Sequence, residues 1–298
     1  MSTIASVNVD HLLGLEVGTS TIVSELARGG MSIIFVAFQR SLKRKIAVKI
    51  LPKQFLTPKT AELFQQEAES AAILYHPNII PVYEVGETDE FLFFTMQLIE
   101  GDTLAQLIKK TKKNIIPSKR ILPVKTTIDM MVQVLDALNY AHEQQIIHRD
   151  IKPGNILIVN DGKRPVVTDF GIAKVLRGAD DTKPVIQGTP VYMAPEQVIN
   201  KDISGKADIY ASGIMMFQML AETLPFYNVK STMELLKLKV KNKNGVFTTL
   251  PSMMNPKLHG DMDLIIKKAT ERNPEKRFNC CNEFADALKQ YKKNHIMD

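Results

Sequence analysis

The sequence predicts an α+β protein in two lobes, a small sheet-rich lobe with one main helix followed by a larger helical lobe. Three observations carry this. The first hundred residues hold β-branched and aromatic runs separated by polar turns, the mark of strands. Beyond Gly101 long helical periodicities take over. The 298 residues are 45% hydrophobic and 23% charged, with 15 glycines and 15 prolines, an ordinary globular composition long enough for two modest lobes.

Residues 1–22 read as a short N-terminal segment. The strands of the small lobe (23–97) are IIFVAF at 33–38, KIAVKIL at 45–51 and FLFFTMQLI at 91–99. Between them PKTAELFQQEAESAAIL (58–74) has a helical pattern, with Thr57 as cap and Pro58 in the first turn. A hinge falls at 97–102, with a cleft expected between the lobes. The large lobe (103–291) is dominated by the helical stretches IDMMVQVLDALNYAHEQ, ADIYASGIMMFQMLA, MDLIIKKATER and NEFADALKQYKK. Short strands ILIV and PVVT interrupt them near 156–168, and 292–298 form a tail. No repeat or low-complexity linker is visible.

Net charge is +6, but the excess is local: residues 109–125, KKTKKNIIPSKRILPVK, hold seven basic residues and no acid. Without them 31 basic residues face 32 acidic ones, which excludes a uniformly basic nucleic-acid binder. The segment reads as a solvated loop with Pro117 and Pro123; a docking patch for an acidic partner is the lesser alternative. Cys280 and Cys281 are adjacent and build no disulfide framework, so a reducing compartment is expected, with both as small apolar residues near the start of a C-terminal helix. Positions 1–20 lack a signal-peptide pattern. The longest apolar run, Ile214 to Ala221, is interrupted by Gln218 and too short to span a bilayer. A soluble, cytoplasmic protein without a membrane anchor is the expectation.

Chemistry concentrates in a few positions. In IAVK the strand period puts Ala47 and Lys49 on one face and Ile46 and Val48 on the other. A lysine on an inward face needs an anion, unless it snorkels at a strand edge. On the 58–74 helix Leu63, Glu67, Ala71 and Leu74 share a face, and a carboxylate in an apolar stripe demands a partner, Lys49 being the obvious one. HRDIKPGNILI (148–158) and VTDFG (167–171) follow. Asn155 and Asp169 offer oxygen ligands suited to Mg²⁺. Asp150 is placed to orient and deprotonate a hydroxyl, and Lys152 to neutralise a migrating phosphoryl group. HRD-x-K-x-x-N with a downstream DFG is a highly specific combination.

With these motifs the chain resembles the eukaryotic-type (Hanks-type) protein kinases, above all the Ser/Thr branch and its bacterial members. The match runs from about Val23 to Tyr291, through the strip 27–32, Ala47-Val48-Lys49, Glu67, HPNII (76–80), HRDIKPGN and DFG. It continues through GTPVYMAPEQ (188–197), Asp208 and Arg277. The resemblance implies a two-lobed protein kinase fold holding ATP and Mg²⁺, or Mn²⁺, between the lobes. It implies γ-phosphoryl transfer to a protein hydroxyl. By the same resemblance Lys49 serves the α- and β-phosphates and Glu67 holds it. Asp150 is the catalytic base, Lys152 the γ-phosphate neutraliser, and Asn155 and Asp169 the metal ligands. Adenine would lie among Ile34, Ala47 and Leu157, bonded to backbone near Gln97–Ile99, with Met96 as gatekeeper. Glu196 and Arg277 resemble a buried structural ion pair, and Lys152 with Thr189 matches Ser/Thr kinases.

The strip ELARGG (25–30), followed by Met31 and Ser32, departs from the family pattern. Ala27 and Ser32 stand at the first and third glycine positions, after Leu26, and only Gly29 matches. Left-handed backbone at either substitution would cost about 1–2 kcal/mol, extended backbone nearly nothing. The latter is expected, with a stiffer but functional lid. Arg149 before the catalytic Asp wants an anion. Autophosphorylated Thr182 would supply it, or Asp180 or Asp181 would in its place; a solvated loop is the third reading. Loss of activity in a pseudokinase-like scaffold is the rival class, favoured only by Ala27 and Ser32. An interaction module using the basic segment is another. Protein substrates are implied but not identified.

Overall fold

The computed structural model describes residues 9–29, 32–116, 119–159, 164–170, 190–199, 201–221, 223–226, 229, 231–241 and 247–296, without the side chains of Lys59, Leu63 and Glu67. The chain divides into two compact units, Met1–Tyr75 with Ile79–Glu100, and His76–Asn78 with Gly101–Asp298.

In the first unit six antiparallel strands pair in the order β1-β2-β3-β4-β6-β5: β1 (Glu16–Val17), β2 (Ser20–Arg28), β3 (Ile33–Gln39), β4 (Arg44–Pro52), β5 (Val82–Glu87) and β6 (Phe91–Gln97). Alternation along β3, β4 and β6 sends Ile33, Phe35, Ala37, Ile46, Val48, Ile50, Phe91 and Phe93 into one apolar cluster. Val9, Leu12, Val17 and Ile22 complete that cluster. The boundary expected at 22/23 therefore falls inside β2, because the residues before it cover the sheet's apolar face. Helix α1 (Pro58–Ala72) starts as expected: Thr57 Oγ1 accepts the Thr60 amide at 3.1 Å, and Thr60 Oγ1 accepts the Thr57 amide at 2.7 Å. It ends two residues before Leu74, which reaches the core from a closing turn whose amide bonds the Ala71 carbonyl at 3.2 Å.

The second unit has a three-stranded antiparallel sheet, β7 (Gly101–Thr103), β8 (Ile156–Val159) and β9 (Pro165–Val167). Its described helices are α2 (Leu104–Lys112), α3 (Val124–Glu143), α4 (Pro195–Val198), α5 (Lys206–Leu220), α6 (Thr232–Lys241), α7 (Pro251–Met254), α8 (Asp261–Ala269) and α9 (Cys281–His295). Helix α5 is apolar around its whole circumference and is correspondingly buried almost throughout. The basic segment is not simply a loop. Lys109, Lys110 and Lys112 form the last turn of α2, favourable at the negative end of a helix, and Lys125 lies in α3. Lys110 also pairs with Asp102 at 2.6 Å. Cys281 is buried at the start of α9 and Cys280 exposed before it. Among the described residues no helix is long and apolar enough to cross a membrane.

Candidate active site

On the first unit, strand register assembles the predicted residues. Ile34 stands opposite Lys49 and Val36 opposite Ala47; across β6, Phe94 faces Lys49 and Met96 faces Ala47. Directly opposed residues share a face. Ile34, Ala47, Lys49 and Met96 thus lie together on the face away from the apolar cluster. Lys49 is only 3% exposed, its Nζ 5.4 Å from the centre of the Phe94 ring, which packs 5.1 Å from Phe64 of α1. Such burial of an ammonium is sustained by negative charge or convergent acceptors. Glu67 falls within α1, and its side chain lies outside the described residues.

The strip of small residues closes β2 onto β3. Ala27 stands opposite Ile34 just after a bulge, Leu26 is exposed, and the Gly29 amide donates to the Ser32 carbonyl at 2.8 Å. Among the described residues only Lys43, Gln145, Arg149 and Asp169 combine a side chain with positive φ, so neither Ala27 nor Ser32 needs a glycine's backbone. A Cβ at Gly29 would meet its nearest atom, the Ser32 carbonyl oxygen, at 3.4 Å, so the chain itself hardly forbids a side chain there. At Gln97 the backbone groups are not equivalent. Its amide donates to the Pro81 carbonyl at 3.0 Å, so a base would meet the expected stretch through the Gln97 carbonyl or the backbone of Leu98 and Ile99.

On the second unit the HRDIKPGN segment is held by side chains that grip backbone. His148 is fully buried. Its Nδ1 accepts the Asp150 amide at 3.2 Å, which makes Nε2 the protonated nitrogen that donates to the Thr168 carbonyl at 2.8 Å. The ring also packs 4.7 Å from Phe170. Asp150 Oδ2 receives Lys152 Nζ at 2.5 Å and Asn155 Nδ2 at 3.1 Å, and the same amide reaches the Asp150 carbonyl at 2.9 Å. With its NH₂ so engaged, Asn155 keeps its oxygen as the atom to offer a cation. The Thr168 amide and hydroxyl both donate to the Asn155 carbonyl, and the hydroxyl lies 3.2 Å from Asp169 Oδ2. The Asn155 side-chain oxygen and the Asp169 carboxylate are hard oxygen donors of the kind that suits Mg²⁺. Leu157 sits in β8, opposite Thr103 and Val166.

Arg149 and Asp169 both have left-handed backbone, φ 67° and 61°. Side-chain-bearing residues hold that conformation at a cost of about 1–2 kcal/mol, offset here by specific bonds. Asp208 of α5, fully buried, accepts the amides of His148 at 2.9 Å and Arg149 at 2.7 Å, and His142 Nε2 at 2.8 Å. Gln197 Nε2 holds the Arg149 carbonyl at 2.9 Å. Burial alone would raise the Asp208 pKa, but the His142 hydrogen bond, electrostatic attraction to the His142 and His148 rings and the Arg149 amide leave it below the ordinary carboxylate value. Gly205 packs so tightly on His142 that a Cβ would lie 2.5 Å from Nδ1. Burial lowers the Arg149 pKa, against the pull of Asp208, and its Nε has no hydrogen-bond partner among the described residues. Thr182, Asp180 and Asp181 lie outside those residues.

Arg277 and Glu196 form a bidentate pair, 2.6 and 2.8 Å, and the guanidinium also reaches the carbonyls of Lys206, Glu271 and Arg272. Sequence reasoning missed Lys239. This α6 lysine is fully buried, donates to the carbonyls of Val191 and Met193 at 2.6 Å each, and lies 5.1 Å from the Tyr210 ring centre. Burial holds its pKa well below the usual lysine value, though Glu196 opposes this. Its signal was a lysine four residues after Leu235 on the helix's apolar stripe, the same kind of signal that marked Glu67.

A family model described as protein kinase domain matches residues 20–290. The chain is 30% identical over 296 residues to serine/threonine-protein kinase Pkn1 of Myxococcus xanthus, covering 96% of this chain and 40% of that protein. It is 33% identical over 275 residues to serine/threonine-protein kinase PrkC of Bacillus subtilis, covering 91% and 40%. The chain thus spans well under half the length of these curated relatives. Among solved structures, the Mycobacterium tuberculosis PknI kinase domain superposes with a TM-score of 0.72 at 26% identity, over 94% of this chain and 98% of that one.

Proposed function

Because the chain belongs to the protein kinase family, we propose that it transfers the γ-phosphoryl group of ATP to serine or threonine hydroxyls of protein substrates. The observation that carries this is the Asp150 carboxylate, only a quarter exposed and held by Lys152 at 2.5 Å and Asn155 at 3.1 Å. In that setting Asp150 takes the hydroxyl proton as the new O–P bond forms and the bond to the ADP oxygen breaks. Lys152 stands beside it to balance charge on the phosphoryl oxygens. Lys49 takes the α- and β-phosphates, with Glu67 to hold it, and Ile34, Ala47, Met96 and Leu157 take the base. Asn155 and Asp169 would hold Mg²⁺, which would supply positive charge to the phosphate oxygens. The lack of a disulfide between Cys280 and Cys281 and the use of ATP support a cytoplasmic setting for this activity. Thr182 is the autophosphorylation site whose phosphate answers the half-buried Arg149 guanidinium.

Labelled ATP with Mg²⁺ and a generic basic protein tests the reading. Asp150→Asn and Lys49→Met should each abolish transfer while circular dichroism stays that of the parent. Transfer persisting in either folded variant refutes the assigned roles. Intact mass of the chain alone, beside Thr182→Ala, tests the modification; full activity of unphosphorylated Thr182→Ala removes it.

A further inference from the structure

Outside the site described above, His259, Asp261 and His295 bring three ligand atoms to within 4.8 Å of one another. His259 and Asp261 flank Gly260 at the start of α8, and His295 ends α9. Asp261 Oδ2 lies 3.3 Å from His259 Nδ1 and 2.8 Å from His295 Nε2. The two imidazoles stack, centroids 4.2 Å apart and planes 13° apart. One buried residue steadies both: the Tyr291 ring packs 4.8 Å from His295, and its hydroxyl accepts the His259 amide at 2.9 Å.

The arrangement selects a cation. His259 Nδ1 lies 3.3 Å from both the amide nitrogen and the Oδ2 of Asp261. Three ligand atoms gathered within 4.8 Å of one another, one of them on a carboxylate, make a natural seat for a positive centre. Two stacked imidazolium rings would repel each other, with a single carboxylate to compensate. Two imidazoles with one carboxylate are the donor set of Zn²⁺ and its first-row neighbours, whereas Mg²⁺ and Ca²⁺ favour all-oxygen sites. We propose that His259, Asp261 and His295 form a transition-metal site, suited to Zn²⁺, that fastens the last turn of α9 to the first turn of α8. The side chains are 59%, 51% and 22% exposed, so they have room to rotate inward to metal–ligand distances of about 2.0–2.2 Å. The remaining coordination position is left for water.

The test uses the tag-free chain carrying Cys280→Ser, to remove the exposed thiol, in Mg²⁺ excess that occupies the oxygen-donor pair of the active site. Equilibrium dialysis against Zn²⁺ should find one bound equivalent. His259→Ala, His295→Ala and Asp261→Asn should each weaken it by about tenfold or more, with circular dichroism unchanged. Co²⁺ should give a visible absorption band in the parent that both histidine variants lose. No Zn²⁺ uptake by the parent, or equal uptake by the His259→Ala/His295→Ala double variant, overturns the proposal and leaves a proton-bridged triad. Neither readout involves phosphoryl transfer.

Discussion

Lys49 and Asp150 reach their places by different physics. In the first unit a strand period of two and an antiparallel register suffice: Ile34, Ala47, Lys49 and Met96 share a face because their strands pair as they do. In the second unit no periodicity sets Asp150. It is placed by His148, Asn155 and Asp208, side chains that bond backbone amides and carbonyls in a segment where Arg149 and Asp169 are left-handed. A sheet spreads the work over many equivalent bonds and forgives local change; a buried polar hub concentrates it in a few.

That contrast predicts a descending series. The largest effect belongs to Arg277→Ala, which strands the buried Glu196 carboxylate. Urea unfolding should show a loss of about 3–5 kcal/mol, and a loss under about 1 kcal/mol would deny the pair its bracing role. Asp208→Asn comes next, at about 1.5–3 kcal/mol for weakened charge-assisted bonds, with reduced phosphoryl transfer. Since the folded pKa of Asp208 lies below its ordinary value, its contribution is complete above about pH 4 and is lost as pH falls through the folded value. The stability difference between the parent and Asp208→Asn should therefore shrink on acidification below about pH 4; a constant difference argues against a charged hub.

Lys239→Met orphans the carbonyls of Val191 and Met193 and should cost about 1–3 kcal/mol at neutral pH. A lysine with a depressed folded pKa binds its proton more tightly when unfolded, so parent stability should rise with pH toward about 10.4. The methionine variant should lack that slope. Smallest of all is the sheet side of the comparison. Ala27→Gly should lower stability by about 0.5–1 kcal/mol, the entropic penalty of glycine in a strand. Together with Ser32→Gly it should leave the ATP KM within about twofold. A tenfold gain in ATP affinity would show that the family's glycines do more than backbone geometry requires here.

The same contrast explains what was legible. KIAVKIL announced its two faces, and Thr57-Pro58 announced the start of α1, because both signals are local. Strand β2 was harder: after Ile22 its residues are exposed, so no apolar alternation marks it. In β5 the alternation is half-buried and Gly86 interrupts it, where a Cβ would lie 2.6 Å from the Phe93 ring. In the second unit the HRD and DFG residues and Asp208 were legible by resemblance, but the bonds that join them were not. His142 and Asp208 are 66 positions apart, and a hydrogen bond across that span leaves no periodic trace. Lys239 was the exception, visible in principle as a charge inside an apolar stripe.

The tight seat of His142 on Gly205 carries a consequence for variants of this chain. One added methyl at Gly205, far along the chain from Asp150, would have to move the imidazole it abuts. The ring would tilt off Asp208, and the aspartate would in turn slacken its hold on two successive amides of the catalytic segment. Activity would fade although every group assigned to nucleotide or substrate was intact, so a survey confined to those groups would score the change as harmless.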